Sequence, residues 1–417
     1  MSWSELDRVA SVWGRRLDRL GVRPGQRIAV REPAGVRFAA LLHACLRSGV
    51  TMVPLPMRTA QADLERTLAD CRPAVFVRGG EARPLHDAGS GEEGDACVLY
   101  TSGTTGAPKG VRLTGGNLLA SALGCQESLV STPSDRWLLC LSPHHVGGLS
   151  ILIRSAVSNQ AVTSIPSFKE VTVLEALRRE RCTLLSVVPT MLVRLLEAGG
   201  MEPLRSLRAI LLGGAPAPAD RIREWARMGL VVCPSYGLTE SASQVATVPP
   251  GQALELAGTA GFVHAHAGIE IVGGEIVVTG EVISPGYVSA AIASPPDGGR
   301  FITGDLGELT DTGALLVWGR RDDAIITGGE NVYPEEVEAA LREHPAVADA
   351  AVVGRADTTW GQLLTALVVL RRDVDEGELE AWTRARLPPW KVPRYYRRVE
   401  RLPRSEGGKL LRREIQI

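Results

Sequence analysis

The chain has 417 residues, 45% of them apolar, which is more than one hydrophobic core normally holds, so at least two folded units are expected. Its 46 basic and 47 acidic residues leave a net charge of -1, which offers no general attraction to nucleic acid or to an anionic membrane surface. The seven cysteines are scattered, odd in number and never spaced C-x-x-C, which argues against a disulfide framework and a zinc cluster and suits a reducing compartment.

The opening "MSWSELDRVASVWGRRLDRLG" carries charges throughout and predicts an amphipathic helix from Leu6 to Leu20 rather than a signal peptide. No stretch approaches the ~20 apolar residues of a membrane span, and a cytoplasmic location is expected. A second helical pattern runs from Val36 to Arg47. Between and after these lie short β-branched runs ("RIAV", "TMVPL", "AVFV"), the alternation of a sheet of parallel strands covered by helices. "DAGSGEEGD" (Asp87 to Asp95) reads as an exposed turn. Further on, "RWLLCLSP", "TLLSVVPTMLVRLLEAG" and "LRAILLGGAPAP" each run from a compact apolar strand into Gly, Pro or Ser. Ligands of such sheets gather at strand ends.

From about 258 to 318 the texture turns to short strands with Gly-rich turns, a smaller β-rich subdomain. Near Arg321 an α+β unit is expected to begin, with Pro334 in the first turn of a helix and Glu335, Glu336 and Glu338 near its positive end. The fold class expected is therefore α/β, with a large unit over residues 1–320 and a small, mobile α+β unit over 321–417.

One segment has no plausible core role. "YTSGTTGAPKG" (Tyr100 to Gly110) is too rich in hydroxyls and glycine to pack. It is no Walker A loop, because Pro108 precedes Lys109 and Gly110 follows it, whereas that motif runs Gly-Lys-Ser/Thr straight into a helix. "VRLT" continues as a strand, so the loop reads as the turn of a hairpin rising from "ACVLY". Its hydroxyls and amides can cradle phosphate, with Lys109 adding positive charge. An ordinary Ser/Gly turn would carry the same residues.

The complete string resembles the signature of the adenylate-forming enzymes: acyl-CoA synthetases, adenylation domains and luciferases. "SYGLTE" (Ser235 to Glu240), "TGD" (Thr303 to Asp305), "GRRDDAIITGGENVYPEEVE" (Gly319 to Glu338) and "LPRSEGGKLLRRE" (Leu402 to Glu414) follow in the family's order. The resemblance covers Tyr100 to the C-terminus; the segment before it is shorter than in many members. It implies a ligase that joins a carboxylate to AMP, expels pyrophosphate and passes the acyl group to a thiol, with ATP, Mg²⁺ and coenzyme A taken up along with a small carboxylic acid. Self-association into a homo-oligomer is left open.

Residue by residue, the resemblance makes Lys409 the catalytic lysine, touching the attacking carboxylate and the α-phosphate. Thr101, Ser102, Gly103, Thr104, Thr105, Gly106 and Lys109 would hold the phosphates of ATP. Gly214, Ala215 and Pro216 with Ser235, Tyr236, Gly237 and Leu238 would frame the adenine side. Thr239 would bind the α-phosphate, Glu240 the Mg²⁺, Asp305 the ribose hydroxyls, and Arg320 the ribose or phosphates. A Thr-Glu pair that merely caps a helix through "ESASQ", and an Asp305 that merely forms a turn, are the structural alternatives. Asp322 would be the hinge, and Gly328 and Gly329 would let backbone approach the pantetheine arm.

Acid specificity lies outside these motifs. In "SPHHVGGLSILIRSA", Arg154 closes an apolar run; if buried it needs an anion, and a planar guanidinium pairs bidentately with a carboxylate. A solvent-facing arginine at a helix end is the alternative. This stretch, "SVVPTML" and "YGLTESASQVAT" resemble a subfamily whose substrate carries an aromatic and a succinyl carboxylate, which implies a pocket of His145, Arg154, Thr190 and Ser243. A stand-alone adenylation enzyme, or a silent nucleotide-binding regulator, would share many of these motifs; the regulator is disfavoured by Lys109, Glu240, Asp305 and Lys409 occurring together.

Overall fold

Apolar runs bounded by turn residues become strands buried on both faces. Arg27–Arg31, Thr51–Pro54, Leu184–Val187 and Ala209–Leu212 are almost wholly inaccessible, as parallel strands under helices must be. The computed structural model describes residues 1–417 except 87, 93, 103–107, 290–298, 405–409 and 416–417, together with the side chains of 102 and 413.

The first of two seven-stranded sheets has Thr51–Pro54, Arg27–Arg31 and Val75–Arg78 running parallel at its centre. The hairpin Asp95–Ser102 and Pro108–Thr114 extends one side, and Gly286–Tyr287 adds antiparallel to its outer edge. The second sheet runs Val232–Leu238, Ala209–Leu212, Leu184–Val187, Arg136–Leu139 and Ala161–Ser164, all parallel. Ser243–Thr247 and Phe262–Val263 continue it antiparallel past Val232–Leu238.

Helices Gly115–Ser128 and Val146–Val157 join the two sheets. Leu118, Ala122 and Cys125 from one helix, and Leu149, Ile151 and Ile153 from the other, share a single core with Leu99 and Val111 of the first sheet and with Trp137 and Leu139 of the second. The first of these helices starts where Thr114 and Asn117 cap each other, and the Asn117 amide also donates to the carbonyls of Glu281 (2.7 Å) and Ile283 (2.9 Å). That clamp ties the hairpin to a third sheet, the antiparallel strands Ala267–Val272, Glu275–Gly280, Arg300–Leu309 and Leu315–Arg320.

A smaller sheet follows, built from Ile325–Thr327, Glu330–Val332, Val347–Asp357, Gly361–Leu370 and Tyr395–Arg398, with its own core around Val337, Leu341, Val352 and Val368. The molecule is thus a mixed α/β protein with a large N-terminal sheet region and a small C-terminal one. Helix Pro334–Arg342 starts on its proline with Glu335 and Glu336 in the first turn. It abuts the third sheet so closely that a Cβ on Gly319 would lie 2.4 Å from the Glu335 carboxylate.

One expectation changes. The "DAGSGEEGD" stretch is more than an exposed turn in its described part: Ser90 bridges Gln26, Gly91 N donates to Gly25 O at 2.6 Å, and Asp95 is buried. All seven cysteines are free and buried, and among the described residues no helix is long and apolar enough to cross a membrane.

Arg412 knits the end of the chain to the small core. Its guanidinium meets Glu338, Glu335 (2.8 Å) and Asp323 (3.5 Å) and donates to Val352 O at 3.1 Å. Glu338 is 2% exposed, so losing this partner leaves a buried carboxylate with Arg342 and the Val352 N–H as its described partners. Arg412→Ala is expected to lower stability by ~2–3 kcal/mol, seen as an earlier melting transition in calorimetry.

Candidate active site

Across the hairpin, strand pairing runs from Asp95–Thr114 to Ser102–Pro108 and sets Thr101 opposite Lys109 at the open end. Gly103, Thr104, Thr105, Gly106 and Lys409 lie outside the described residues, as does the side chain of Ser102. Gly110 is a glycine for steric reasons: a Cβ there would come 2.9 Å from the Tyr100 ring and 3.0 Å from Val288. The Tyr100 ring is pinned by its hydroxyl, which donates to Asp70 at 2.6 Å.

Thr239 and Glu240 do not cap a helix. They form a single 3₁₀ turn, Thr239–Ser241, between the strands Val232–Leu238 and Ser243–Thr247. The Ser241 hydroxyl closes it, accepting from Leu238 N at 3.0 Å and lying 3.1 Å from the carbonyls of Leu238 and Ser243. The turn is locked beside the hairpin from two directions. Ser284 N donates to Glu240 O at 2.8 Å while the Ser284 hydroxyl donates to Arg112 O at 2.7 Å. The Tyr287 hydroxyl, on the strand paired with Pro108–Thr114, donates to the Glu240 carboxylate at 3.1 Å. Burial, and then the Glu240 charge, push the Tyr287 phenol upward, so it remains a donor.

On the other side of the turn, the Tyr236 hydroxyl donates to Asp305 at 2.6 Å, and Arg320 pairs with the second Asp305 oxygen at 3.1 Å and with Thr303 O at 3.0 Å. Burial opposes the charge on Arg320, but Asp305 outweighs it and raises the guanidinium's affinity for its proton. Gly214 (φ 75°), Ala215 and Pro216 follow the strand Ala209–Leu212, whose end is tied to the next strand by the Ser235 hydroxyl donating to Leu212 O at 2.8 Å. Leu238 ends that next strand. Gly237 sits at a bulge where a Cβ would fall 1.8 Å from Ser243 O, so no other residue fits.

Arg154 is 3% exposed, on the helix Val146–Val157. Its Nε donates to Ser150 O at 3.0 Å, NH1 to Cys125 Sγ at 3.1 Å, and NH2 to the Ser150 hydroxyl and to Gln244 Oε1 at 3.1 Å. The guanidinium also stands 4.9 Å from the centre of the Trp137 ring. Ser243 belongs to the same cluster, its hydroxyl 3.4 Å from that of Ser150. The solvent-facing alternative for Arg154 is thereby excluded.

His145 and Thr190 stand apart from this cluster. His145 is exposed at the start of the helix, its ring 4.0 Å from that of buried His144 and tilted by 47°, and nine residues separate it from Arg154 by about 13 Å and two and a half turns, on the opposite face. Thr190 is half-buried in the first turn of Pro189–Glu197. Neither is among the described contacts of Arg154. Conversely, Gln244, Cys125, Trp137 and Tyr287 carry contacts that the sequence did not single out, although Trp137 and Gln244 lay inside quoted stretches.

In the small region, Asp322 is exposed in the 3₁₀ turn Arg321–Asp323, and Gly328 (φ 59°) and Gly329 (φ 86°) turn between Ile325–Thr327 and Glu330–Val332. A Cβ on Gly328 would strike the Trp360 ring at 2.8 Å.

A large α/β region whose hairpin and strand ends meet at the turn Thr239–Ser241, followed by a small C-terminal region, is the architecture of the adenylate-forming enzymes. Residues 1–94 and 84–288 match the AMP-binding enzyme family, and residues 336–409 match the AMP-binding enzyme C-terminal domain. The chain belongs to that family of AMP-forming acyl- and aryl-CoA ligases. It is similar to the 2-succinylbenzoate–CoA ligase of Bacillus cereus (strain Q1), 37% identical over 98% of this chain and 92% of that one. The enzyme of the same name from Geobacillus kaustophilus is 36% identical over 100% and 92%. Among solved structures, o-succinylbenzoate CoA synthetase from Bacillus subtilis in complex with its acyl-adenylate intermediate aligns at TM-score 0.88 and 34% identity, covering 99% of this chain and 92% of that one. ATP-bound MatB from Rhodopseudomonas palustris aligns at 0.89 and 27%, with the same coverage.

Gly237→Ala forces backbone apart at the bulge and is expected to cost more than ~2 kcal/mol and to weaken AMP binding together with stability, measured by thermal melts with and without nucleotide. The buried histidines give a pH signature. Burial, aided by the neighbouring charge of Arg154, pulls His264 down to about 4 from 6.5, and burial with His145 pulls His144 to about 3. The unfolded chain therefore takes up these protons first, and stability falls as pH drops below 6.5. Melting temperature against pH should decline less steeply in His264→Gln.

Proposed function

We propose that this protein is an ATP-dependent ligase that converts o-succinylbenzoate to its CoA thioester, a step of menaquinone biosynthesis in the cytoplasm. The observation that carries the choice of acid is Arg154: a buried guanidinium whose described partners are all uncharged favours a ligand that brings a carboxylate of its own. A substrate with two carboxylates supplies one for that guanidinium and one for reaction. The names of the Bacillus and Geobacillus relatives support the same acid.

In the first half-reaction a carboxylate oxygen of the acid attacks the α-phosphorus of ATP and the bond to pyrophosphate breaks. Charge moves toward the leaving group, so fixed donors and cations supply most of the rate. The roles proposed are those the motifs imply: residues 101–106 and Lys109 at the phosphates, Thr239 at the α-phosphate, Asp305 at the ribose. A carboxylate has about four lone-pair positions, so Asp305 can keep Tyr236 and Arg320 and still accept from hydroxyls. Glu240 offers a hard oxygen that fits Mg²⁺, which is usually held by one or two carboxylates and substrate phosphates; bound there it would neutralise phosphate charge. In the second half-reaction the CoA sulfur attacks the acyl carbon and AMP leaves.

One cleft must serve both steps, so residues 321–417 are proposed to pivot at Asp322, withdrawing Lys409 and bringing Gly328 and Gly329 to the thiol. The two solved states of the Bacillus subtilis enzyme support such a motion. Its acyl-adenylate complex matches this structure at TM-score 0.88, whereas a double mutant bound with its product analogue matches at 0.71 with the same coverage.

Acid-dependent pyrophosphate release across a panel of acids tests the reading, with o-succinylbenzoate expected to give the highest kcat/KM. Lys409→Ala is expected to lose on the order of 10²–10³ in adenylate formation while thioester formation from supplied acyl-adenylate is comparatively spared; equal losses would contradict its role. Arg154→Ala is expected to raise KM for the acid far more than KM for ATP.

A further inference from the structure

We infer that Gln244 is a specificity-determining positioning residue: its amide holds Arg154 in place without cancelling its charge, so that the guanidinium is left for the substrate's second carboxylate. The inference rests on the proposed role of Arg154 and goes beyond it. Among the described residues each contact of Arg154 is with a dipole, a thiol or a ring: Ser150, Gln244, Cys125 and Trp137. Nearby His264 is buried and kept neutral, its Nε2 3.0 Å from the Thr247 hydroxyl.

Within this uncharged cage Gln244 is the hub. Its Oε1 accepts from Arg154 NH2 at 3.1 Å and from the Ser243 hydroxyl at 2.9 Å, and its Nε2 donates to Cys125 Sγ at 3.5 Å. An amide is the side chain suited to this, because it offers an acceptor to the guanidinium and a donor to the sulfur at once. A glutamate of the same length would reach Arg154 equally well and form a buried ion pair, occupying the charge that a substrate carboxylate needs. Of the five guanidinium N–H groups, the second hydrogen on NH1 has no acceptor among the described contacts, and it is available to that carboxylate.

Backbone strain marks the same place. Ala242 (φ 54°) and Ser243 (φ 124°) both carry positive φ without being glycine, immediately before Gln244. Conformations of this kind cost ~1–3 kcal/mol each and persist where the surroundings over-determine them. Here Ser241 holds the turn on one side and Ser150 and Gln244 meet Ser243 on the other. The strained segment sets Ser243 against Ser150 and Gln244 against Arg154.

The test is a comparison of wild type, Gln244→Glu, Gln244→Met and Arg154→Ala in pyrophosphate release, with o-succinylbenzoate and with benzoate as a monocarboxylate probe. Gln244→Glu is expected to raise KM for o-succinylbenzoate at least ~10-fold, to leave KM for ATP within about twofold, and to shift selectivity toward benzoate. A folded Gln244→Glu enzyme with unchanged acid KM and unchanged selectivity overturns the inference. Should that variant fail to fold, Gln244→Met decides: a raised acid KM at unchanged ATP KM supports the role, and an unchanged acid KM removes it. Arg154→Ala separates the two levels. If it leaves the acid KM alone, the dicarboxylate reading itself fails; if it raises that KM and the Gln244 variants do not, only the role of Gln244 fails.

Discussion

A positive charge buried among uncharged groups is the constraint around which this site is arranged. Taking a guanidinium out of water costs several kcal/mol, and hydrogen bonds to a serine, a glutamine amide and a thiol return only part of that. That imbalance is the ground for proposing that an anion completes the site. A ligand carboxylate proposed to complete it would gain a charge-assisted bond from the remaining NH1 hydrogen. In the proposed reading, affinity for the acid and discrimination against monocarboxylates come from the same residue.

The proposed nucleotide side follows a different logic. There the charges are already paired: Tyr236 and Arg320 hold Asp305 from both oxygens, and Tyr287 holds Glu240. Those contacts fix the orientation of two carboxylates before any ligand arrives, and preorganised groups need little rearrangement at the moment of reaction. The short turn Thr239–Ser241 links the two halves. On one side it presents Glu240 to the hairpin, and on the other it sends Ser243 and Gln244 down to Arg154. Gly237 makes that tight path sterically possible.

Much of this was legible in the sequence where the signal was local. The hairpin from Asp95 to Thr114 followed from "ACVLY", a Gly-rich turn and "VRLT", and helix Pro334–Arg342 from a proline and acidic first turn. The α/β class followed from strands running into Gly and Pro. Burial of Arg154 was expected as a condition, from its place in an apolar run. What local pattern did not reveal was its company. Cys125 and Gln244 lie 29 and 90 residues away along the chain, on a neighbouring helix and on the antiparallel extension of the second sheet, and only the packing of both against the helix Val146–Val157 brings them within hydrogen-bonding reach. The turn at Thr239 was open to a helical alternative because "ESASQ" is compatible with either; the positive φ values at Ala242 and Ser243 settle it and have no sequence signal in a non-glycine residue. The grouping of His145 and Thr190 with Arg154 came from resemblance alone, and about two and a half turns of helix separate the first of them from it.

The most direct measurement is a crystal structure of the protein with o-succinylbenzoate and a non-reactive AMP ester analogue. A guanidinium kept free for an anion predicts the unreacted carboxylate about 2.7–3.2 Å from Arg154, or one ordered water away, with Gln244 still on the opposite edge. A carboxylate turned toward solvent, with Arg154 still surrounded only by neutral groups, would contradict it.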